Sequence, residues 1–353
     1  VTTTGEPPGL EALRRWLVDG SLPGSLDAAA AAALVAAAAR EGLTALLDDA
    51  VGRERPAWAT EAVAGELRAG HRACLASALR RLDLAADVLR RLEAAGVPAL
   101  PLKGAAVAET LYDSPAHRAM ADVDVLVLGD RGAAMAALTA AGFTRGDEAD
   151  HAVVLVAPDG SSVLELHHAI SSCPGLFELE REGMWRRRRP GTGLMPWLPD
   201  PVDGLLALTQ HAAFQHGLVL RLGQWLDLRR AVEREAIPLA TLLERARPAT
   251  LLACAGLALG VAHARVGGDA LAGWAAQLEP HLTRAQHRLL VAAIRSTDET
   301  GPGLAAVRWQ IAAGQRARLL RLTLASHGWQ AAPHRAMALA ARIFRGGGRA
   351  SKW

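Results

Sequence analysis

The stretch Leu102–Leu128, LKGAAVAETLYDSPAHRAMADVDVLVL, decides how the rest of the chain is read. It opens on a short apolar run that ends at Lys103-Gly104. A helix of about two turns is predicted next, closing near Tyr112. Asp113-Ser114-Pro115 then forms a polar connector to Arg118 and to a strand carrying Asp122 and Asp124. Residues two apart on a strand share a face, so both carboxylates are expected to project together. The rest of the strand, Val125-Leu126-Val127-Leu128, is too apolar for a surface ribbon. Two acids side by side on a buried strand repel each other unless a cation sits between them.

Working outward, the periodicity changes on both sides of this stretch. Upstream, Val97–Leu102 is extended, and Pro98 and Pro101 mark it as a short edge strand. Before it the pattern is helical: a short helix over Leu10–Val18, and an alanine-rich one to Arg40 capped by Ser25 or Asp27. A long helix begins near Thr60, with an apolar stripe running through Leu92 to a stop at Gly96. Val1–Gly9 reads as a frayed tail. Downstream, Arg131–Ala141 is a helix closed by Gly142, and Phe143–Arg145 starts another extended piece. His151–Val156 and Ser162–His168 flank Pro158-Asp159-Gly160 and read as a hairpin. Cys173–Pro201 is irregular, and its run Arg186–Arg189 reads as a solvated loop, with an anionic substrate as the alternative.

Helices return over Val202–Gln215, Leu218–Glu235, Pro238–Ala246 and Thr250–Val266, and continue to Phe344 before a Gly-rich basic tail, Arg345–Trp353. The predicted organisation is therefore α+β: an N-terminal helical region over 1–96, a small mixed β-sheet core over 97–172, and a C-terminal helical domain over 173–353.

The whole chain bounds this reading. Its 353 residues suffice for two or three domains, and half of them are apolar. A formal charge of +3 is small for this length and argues against a long nucleic acid as partner. Cys74, Cys173 and Cys254 are odd in number and far apart, which fits neither a disulfide framework nor a cysteine metal site and favours a reducing cytoplasm. No signal peptide is expected from VTTTGEPPGLEALRR. The apolar runs Ala28–Ala39 and Leu251–Ala262 fall short of the roughly 20 residues that span a bilayer.

The second hairpin arm carries Glu165 and His167 on one face, with Leu164 and Leu166 on the other. If that arm lies beside the Asp122–Leu128 strand, Glu165 joins the two aspartates. Three carboxylates around one point suit Mg²⁺, and two such ions about 3.5–4 Å apart serve phosphoryl displacement. Lys103-Gly104 at a helix start offers a cation and backbone N–H groups to a triphosphate. Arg118 offers a planar donor fork to a phosphate or a carboxylate. His167 reads as a partner supporting the ligands from behind, as an acceptor-side base, or as an ordinary strand histidine. His211 and His216, five apart and so about 140° around an α-helix, make a poor metal pair and read as packing residues. Asp227, near Arg229 and Arg230, reads as a surface ion pair.

As a set, Lys103-Gly104, Leu111-Tyr112, Arg118, Met120–Val127 and Glu165-Leu166-His167 resemble a family of uncharacterised bacterial nucleotidyltransferases within the DNA polymerase β-like superfamily. The resemblance is close over about 97–170 and extends more loosely to His211, His216 and Asp227. It implies Asp122 and Asp124 as metal ligands with Glu165 as third carboxylate, Lys103, Gly104 and Arg118 at the nucleotide, and His167, His211, His216 and Asp227 on the acceptor side. It implies Mg²⁺ as cofactor, two ions, with Mn²⁺ as substitute. It also implies transfer of a nucleoside monophosphate, AMP from ATP, to a small-molecule or peptide acceptor. The superfamily often places Ser after the turn's glycine, whereas Ala105 stands here. Two other readings stay open: an antitoxin-like binding protein without turnover, and a phosphotransferase built on the same carboxylates.

Overall fold

The computed structural model describes residues 8–149, 151–173, 175–177, 180–247, 249–296 and 301–326. The expected C-terminal tail at 345–353, the helical expectation beyond 326 and all but two residues of the expected N-terminal tail lie outside them.

Four helices come first: α1 (Pro8–Asp19), α2 (Ala28–Glu41), α3 (Thr44–Glu54) and α4 (Glu61–Ala94). Asp27 caps α2 by accepting the Ala30 N–H, and Gly42 ends it in the left-handed conformation that a Cβ disfavours. Thr60 caps α4, whose expected stripe is buried at Leu67, Leu82, Leu89 and Leu92, whereas Leu79, expected within it, is exposed.

The sheet follows as β1 (Ala99–Pro101), α5 (Lys103–Thr110), β2 (Val123–Val127), α6 (Arg131–Ala140), β3 (Thr144–Glu148), β4 (Ala152–Val156) and β5 (Val163–His167). Its strand order is β1-β2-β5-β4-β3. β1 forms one edge, where Pro101 costs no central ladder bond. β3, TRGDE, forms the other, and its exposed charges discourage pairing with a further strand. The hairpin β4–β5 is antiparallel, and β5 lies parallel to β2 with Asp124 opposite Glu165. Strand alternation then sorts the faces. Val123, Val125, Val127, Leu164 and Leu166 pack on the C-terminal half of α4 and on α6. Asp124, Glu165 and His167 occupy the opposite face, toward the C-terminal helices.

The stretch expected to be irregular contains α7 (Arg181–Arg187) and a two-residue ribbon, β6 (Arg189–Pro190) with β7 (Trp197–Leu198). The arginine run there is not a solvated loop. Arg187 pairs with buried Asp203, Arg189 with Glu235, and Arg188 stacks between Trp185 and Trp197, leaving Arg186 on the surface with Glu180. The carboxylate of Glu109 at the end of α5 accepts the N–H groups of Gly193, Leu194 and Met195, tying this segment to the sheet domain.

The remaining helices are α8 (Pro201–Gln210), continued by a π turn (His211–Gln215), then α9 (Leu222–Arg234), α10 (Leu239–Arg245), α11 (Ala249–Val266), α12 (Asp269–Leu278), α13 (Arg284–Arg295), α14 (Leu304–Ile311) and α15 (Arg316–Ser326). By length and composition α11 could cross a bilayer, contrary to the expectation drawn from its apolar run. Most of it is instead buried against α8, α9, α12 and α13. The main apolar core runs across the expected domain boundaries, for Leu13, Trp16 and Leu34 share it with Trp225, Phe214 and Leu259.

Candidate active site

The site is built where β2 and β5 run side by side. Asp124 is 4% exposed and sits opposite Glu165 across the parallel pair. Two residues on, His167 is 1% exposed. Its Nε2 lies 2.8 Å from Asp124 Oδ1 and 3.2 Å from Glu165 Oε2. Lys103 Nζ donates to the same Asp124 oxygen at 2.6 Å. Donor atoms of Asp124, Glu165 and His167 all fall within 4.8 Å of one another.

That compact trio differs by one member from the expected three carboxylates. Asp122 precedes β2 in a bend, where the two-residue alternation no longer controls its direction. It remains close enough to feel the others: burial, then the charges of Asp124 and Glu165, raise its carboxyl above the usual range. Burial would also raise Asp124, but Lys103 and His167 more than offset this and hold it well below the usual range. His167 shows the converse balance, since burial opposes its charge while hydrogen bonds to Asp124 and Glu165 raise its pKa. Asp124 and Glu165 are paired with Asp122 nearby, an acidic set that a hard divalent ion suits, since it would offset both the burial and the mutual repulsion that raise Asp122.

Local backbone explains how Lys103 reaches Asp124. It starts α5 at φ +45, a left-handed conformation unusual for a side chain of this size. Gly104 follows beneath the Met120 side chain, which would have to shift for a Cβ there, since that atom would come 2.9 Å from Met120 Cγ.

Arg118 is not a free fork. Its Nε donates to Asp227 Oδ2 at 2.7 Å, and Nη1 donates to the Ala119 carbonyl. Asp227, expected on a helix surface, is 2% exposed and also accepts from Tyr112 Oη at 2.7 Å. Burial disfavours the Arg118 charge, yet Asp227 outweighs it and raises the guanidinium pKa. Asp227 thus locks α9 to the connector before β2.

His211 and His216 are not separated around a helix. The chain winds here as a π turn, with the His216 N–H bonding the His211 carbonyl at 3.1 Å. An i→i+5 turn stacks residues five apart, and the two rings meet edge to face with centroids 4.4 Å apart. Burial, then Lys103, lowers both histidines, leaving them neutral at pH 7.

These groups line one cleft of about 920 Å³, a volume typical of small-molecule sites. Asp122, Asp124 and Glu165 stand on the sheet wall, with Lys103, Gly104 and Arg118 beside them. His211, His216 and Asp227 line the helical wall. His167 lies behind the carboxylates, outside the lining. Among the lining residues that the sequence did not point to are His151 and Arg308. His151 sits just before β4, its ring 5.4 Å from that of His167, and burial, then His167, lowers its pKa to about 4. Its sequence signal was its place across the hairpin from His167-His168. Arg308, on α14, donates to the Phe214 carbonyl at 2.8 Å and approaches Gln215 and Ser172. No sequence spacing connects it to the cleft.

The model of a family described as an uncharacterised nucleotidyltransferase matches residues 27–267. No curated protein and no solved structure matches the chain.

Proposed function

The chain belongs to this family of uncharacterised nucleotidyltransferases, and from that membership and the cleft's chemistry we propose that it transfers AMP from ATP to a small-molecule or peptide acceptor, releasing pyrophosphate. The observation that carries the reading is the pairing of Asp124 with Glu165 across parallel strands, at a cleft that Lys103 and Gly104 also line.

Asp122, Asp124 and Glu165 would hold Mg²⁺, two ions by the family resemblance, with Mn²⁺ as substitute. Bound metal supplies charge neutralisation at the triphosphate and acidity at the acceptor hydroxyl. The chain's own groups do the rest. Lys103 Nζ binds a phosphate oxygen as a compact charge. Gly104, lacking a side chain, leaves the backbone N–H groups at the start of α5 open to the phosphates. Arg118, oriented by Asp227, presents its remaining N–H groups to the nucleotide. The acceptor oxygen attacks the α-phosphorus, the bond to pyrophosphate breaks, and the acceptor proton passes to the Glu165 carboxylate. The helical wall, with neutral His211 and His216, holds the acceptor and limits water in the cleft. The burial of most of α11 and the wide spacing of Cys74, Cys173 and Cys254 support a cytoplasmic protein without a membrane partner.

Pyrophosphate release from ATP and Mg²⁺ is to be followed across a panel of hydroxyl-bearing small molecules and peptides. Wild type is expected to turn over with at least one acceptor class, and Asp124→Asn to lose about a hundredfold or more. The product's mass must rise by AMP. A rise by phosphate alone would make the protein a phosphotransferase, and equal turnover by both proteins would refute the carboxylate centre.

A further inference from the structure

A second group of donor atoms lies outside the cleft, where the N-terminal helices meet the connector before β2. Asp48 and Asp49 are consecutive on α3, His71 is on α4, and His117 ends a short 3₁₀ turn (Pro115–His117). His71 Nδ1 stands 2.9 Å from Asp48 Oδ2 and 3.6 Å from Asp49 Oδ1. His117 Nε2 stands 2.7 Å from Asp49 Oδ2. Donor atoms of Asp49, His71 and His117 all lie within 4.8 Å of one another. Bonds of about 2.0–2.2 Å in a tetrahedron put neighbouring donors about 3.3 Å apart, so small shifts would close Asp49, His71 and His117 on one ion, while Asp48 lies outside that trio against His71.

Charge points the same way. The side chains of His117, Asp48 and His71 are 10%, 15% and 22% exposed and that of Asp49 is 40% exposed, so the group sits at a partly solvated seam between elements. Among the described residues, Asp48 and Asp49 have no ion-pair partners except these two histidines. Two imidazoles with a carboxylate favour zinc over magnesium, which prefers oxygen alone. A cavity of about 690 Å³, lined by Asp48 and Asp49 and also by Arg53, Arg55 and Arg68, opens on the carboxylate side of the group and shares no lining residue with the cleft at the sheet.

We propose that Asp49, His71 and His117 hold a Zn²⁺ ion, with Asp48 standing against His71, and that this ion fastens α3 and α4 to the connector leading to Arg118 and Asp122. The inference stands independently of the transferase reading. Its ligands come from three separate elements, α3, α4 and the 3₁₀ turn, so the ion would tie them together and its role is to stabilise the fold.

The full chain, stripped with EDTA and dialysed, is to be titrated with Zn²⁺ while bound zinc and the unfolding midpoint are measured. Wild type is expected to retain one zinc at this group and to unfold at a higher temperature with it. Asp49→Asn and His71→Gln should each weaken zinc binding at least about tenfold, with circular dichroism reporting whether they remain folded. Asp124→Asn, which alters the other donor group, should keep this zinc. Co²⁺ bound to Asp124→Asn should give the intense visible bands of a tetrahedral ion, a readout that needs no change at the new site. Wild type that retains no zinc, zinc lost in Asp124→Asn but kept in the other two, or a weak octahedral Co²⁺ spectrum would each overturn the proposal.

Discussion

At Lys103 the backbone adopts φ +45, where an L side chain costs about 1–2 kcal/mol relative to the usual regions. The conformation turns the chain out of β1 and carries Nζ to within 2.6 Å of Asp124. Two substitutions separate strain from charge. Elsewhere in a helix, Gly is less stable than Ala by about 1 kcal/mol, but here the order should reverse, with Lys103→Gly more stable than Lys103→Ala by about 1 kcal/mol in urea unfolding. Lys103→Met keeps the stem and loses the ammonium, so turnover should fall about tenfold or more while the fold persists. Single residues were legible in the sequence where a strand's alternation governed them. Asp124, Glu165 and His167 were placed on one face because β2 and β5 are regular. Asp122 was less so, because it stands one residue outside the strand. His167 was legible as a neighbour but not as a donor bridging Asp124 and Glu165, since that depends on how deeply the pair is buried.

Elements meet at Asp227. It accepts from Tyr112 at the end of α5 and from Arg118 before β2, so α9 is fixed to both ends of the connector. Removing the carboxylate leaves a buried guanidinium without its counter-charge. Asp227→Asn is therefore expected to cost about 3–5 kcal/mol. Tyr112→Phe removes one hydrogen bond and should cost about 1–2 kcal/mol. Because both act on one carboxylate, the double variant should lose less than the sum of the two, as chemical unfolding of all four proteins will reveal. None of this was legible from Asp227's neighbours, because the nearby Arg229 and Arg230 suggested a surface pair. The partners that decide its burial lie 109 and 115 residues away. The stacking of His211 on His216 escaped for a related reason: angles counted at 3.6 residues per turn fail where the chain winds as a π turn. Arg308 grips that turn through the Phe214 carbonyl. Arg308→Gln should loosen it, which hydrogen exchange at 211–217 will report as faster than in wild type.

For the whole molecule the sequence correctly separated helical, mixed and helical stretches, but order along the chain is not independence in space. Trp16 and Leu34, from the first stretch, share one apolar core with Trp225 and Leu259 from the last. Helix α4 belongs to both arrangements, with Leu67 in that core and Leu82–Leu92 under the sheet. Periodicity reveals that a helix has an apolar face but not which partner covers it, and here the covering surface comes from the other end of the chain. A division into separately stable regions would give separate unfolding steps. A shared core instead couples them, since opening α1 and α2 exposes the apolar surfaces of α9 and α11 as well. Thermal unfolding followed by tryptophan fluorescence and by far-ultraviolet circular dichroism should therefore give coincident midpoints. A fragment containing only residues 1–96 should lack a cooperative transition, because the surfaces that bury Leu13, Leu34 and Leu67 are then missing. Two resolved transitions in the full chain, or a cooperatively folded fragment, would show that the N-terminal helices carry a sufficient core of their own.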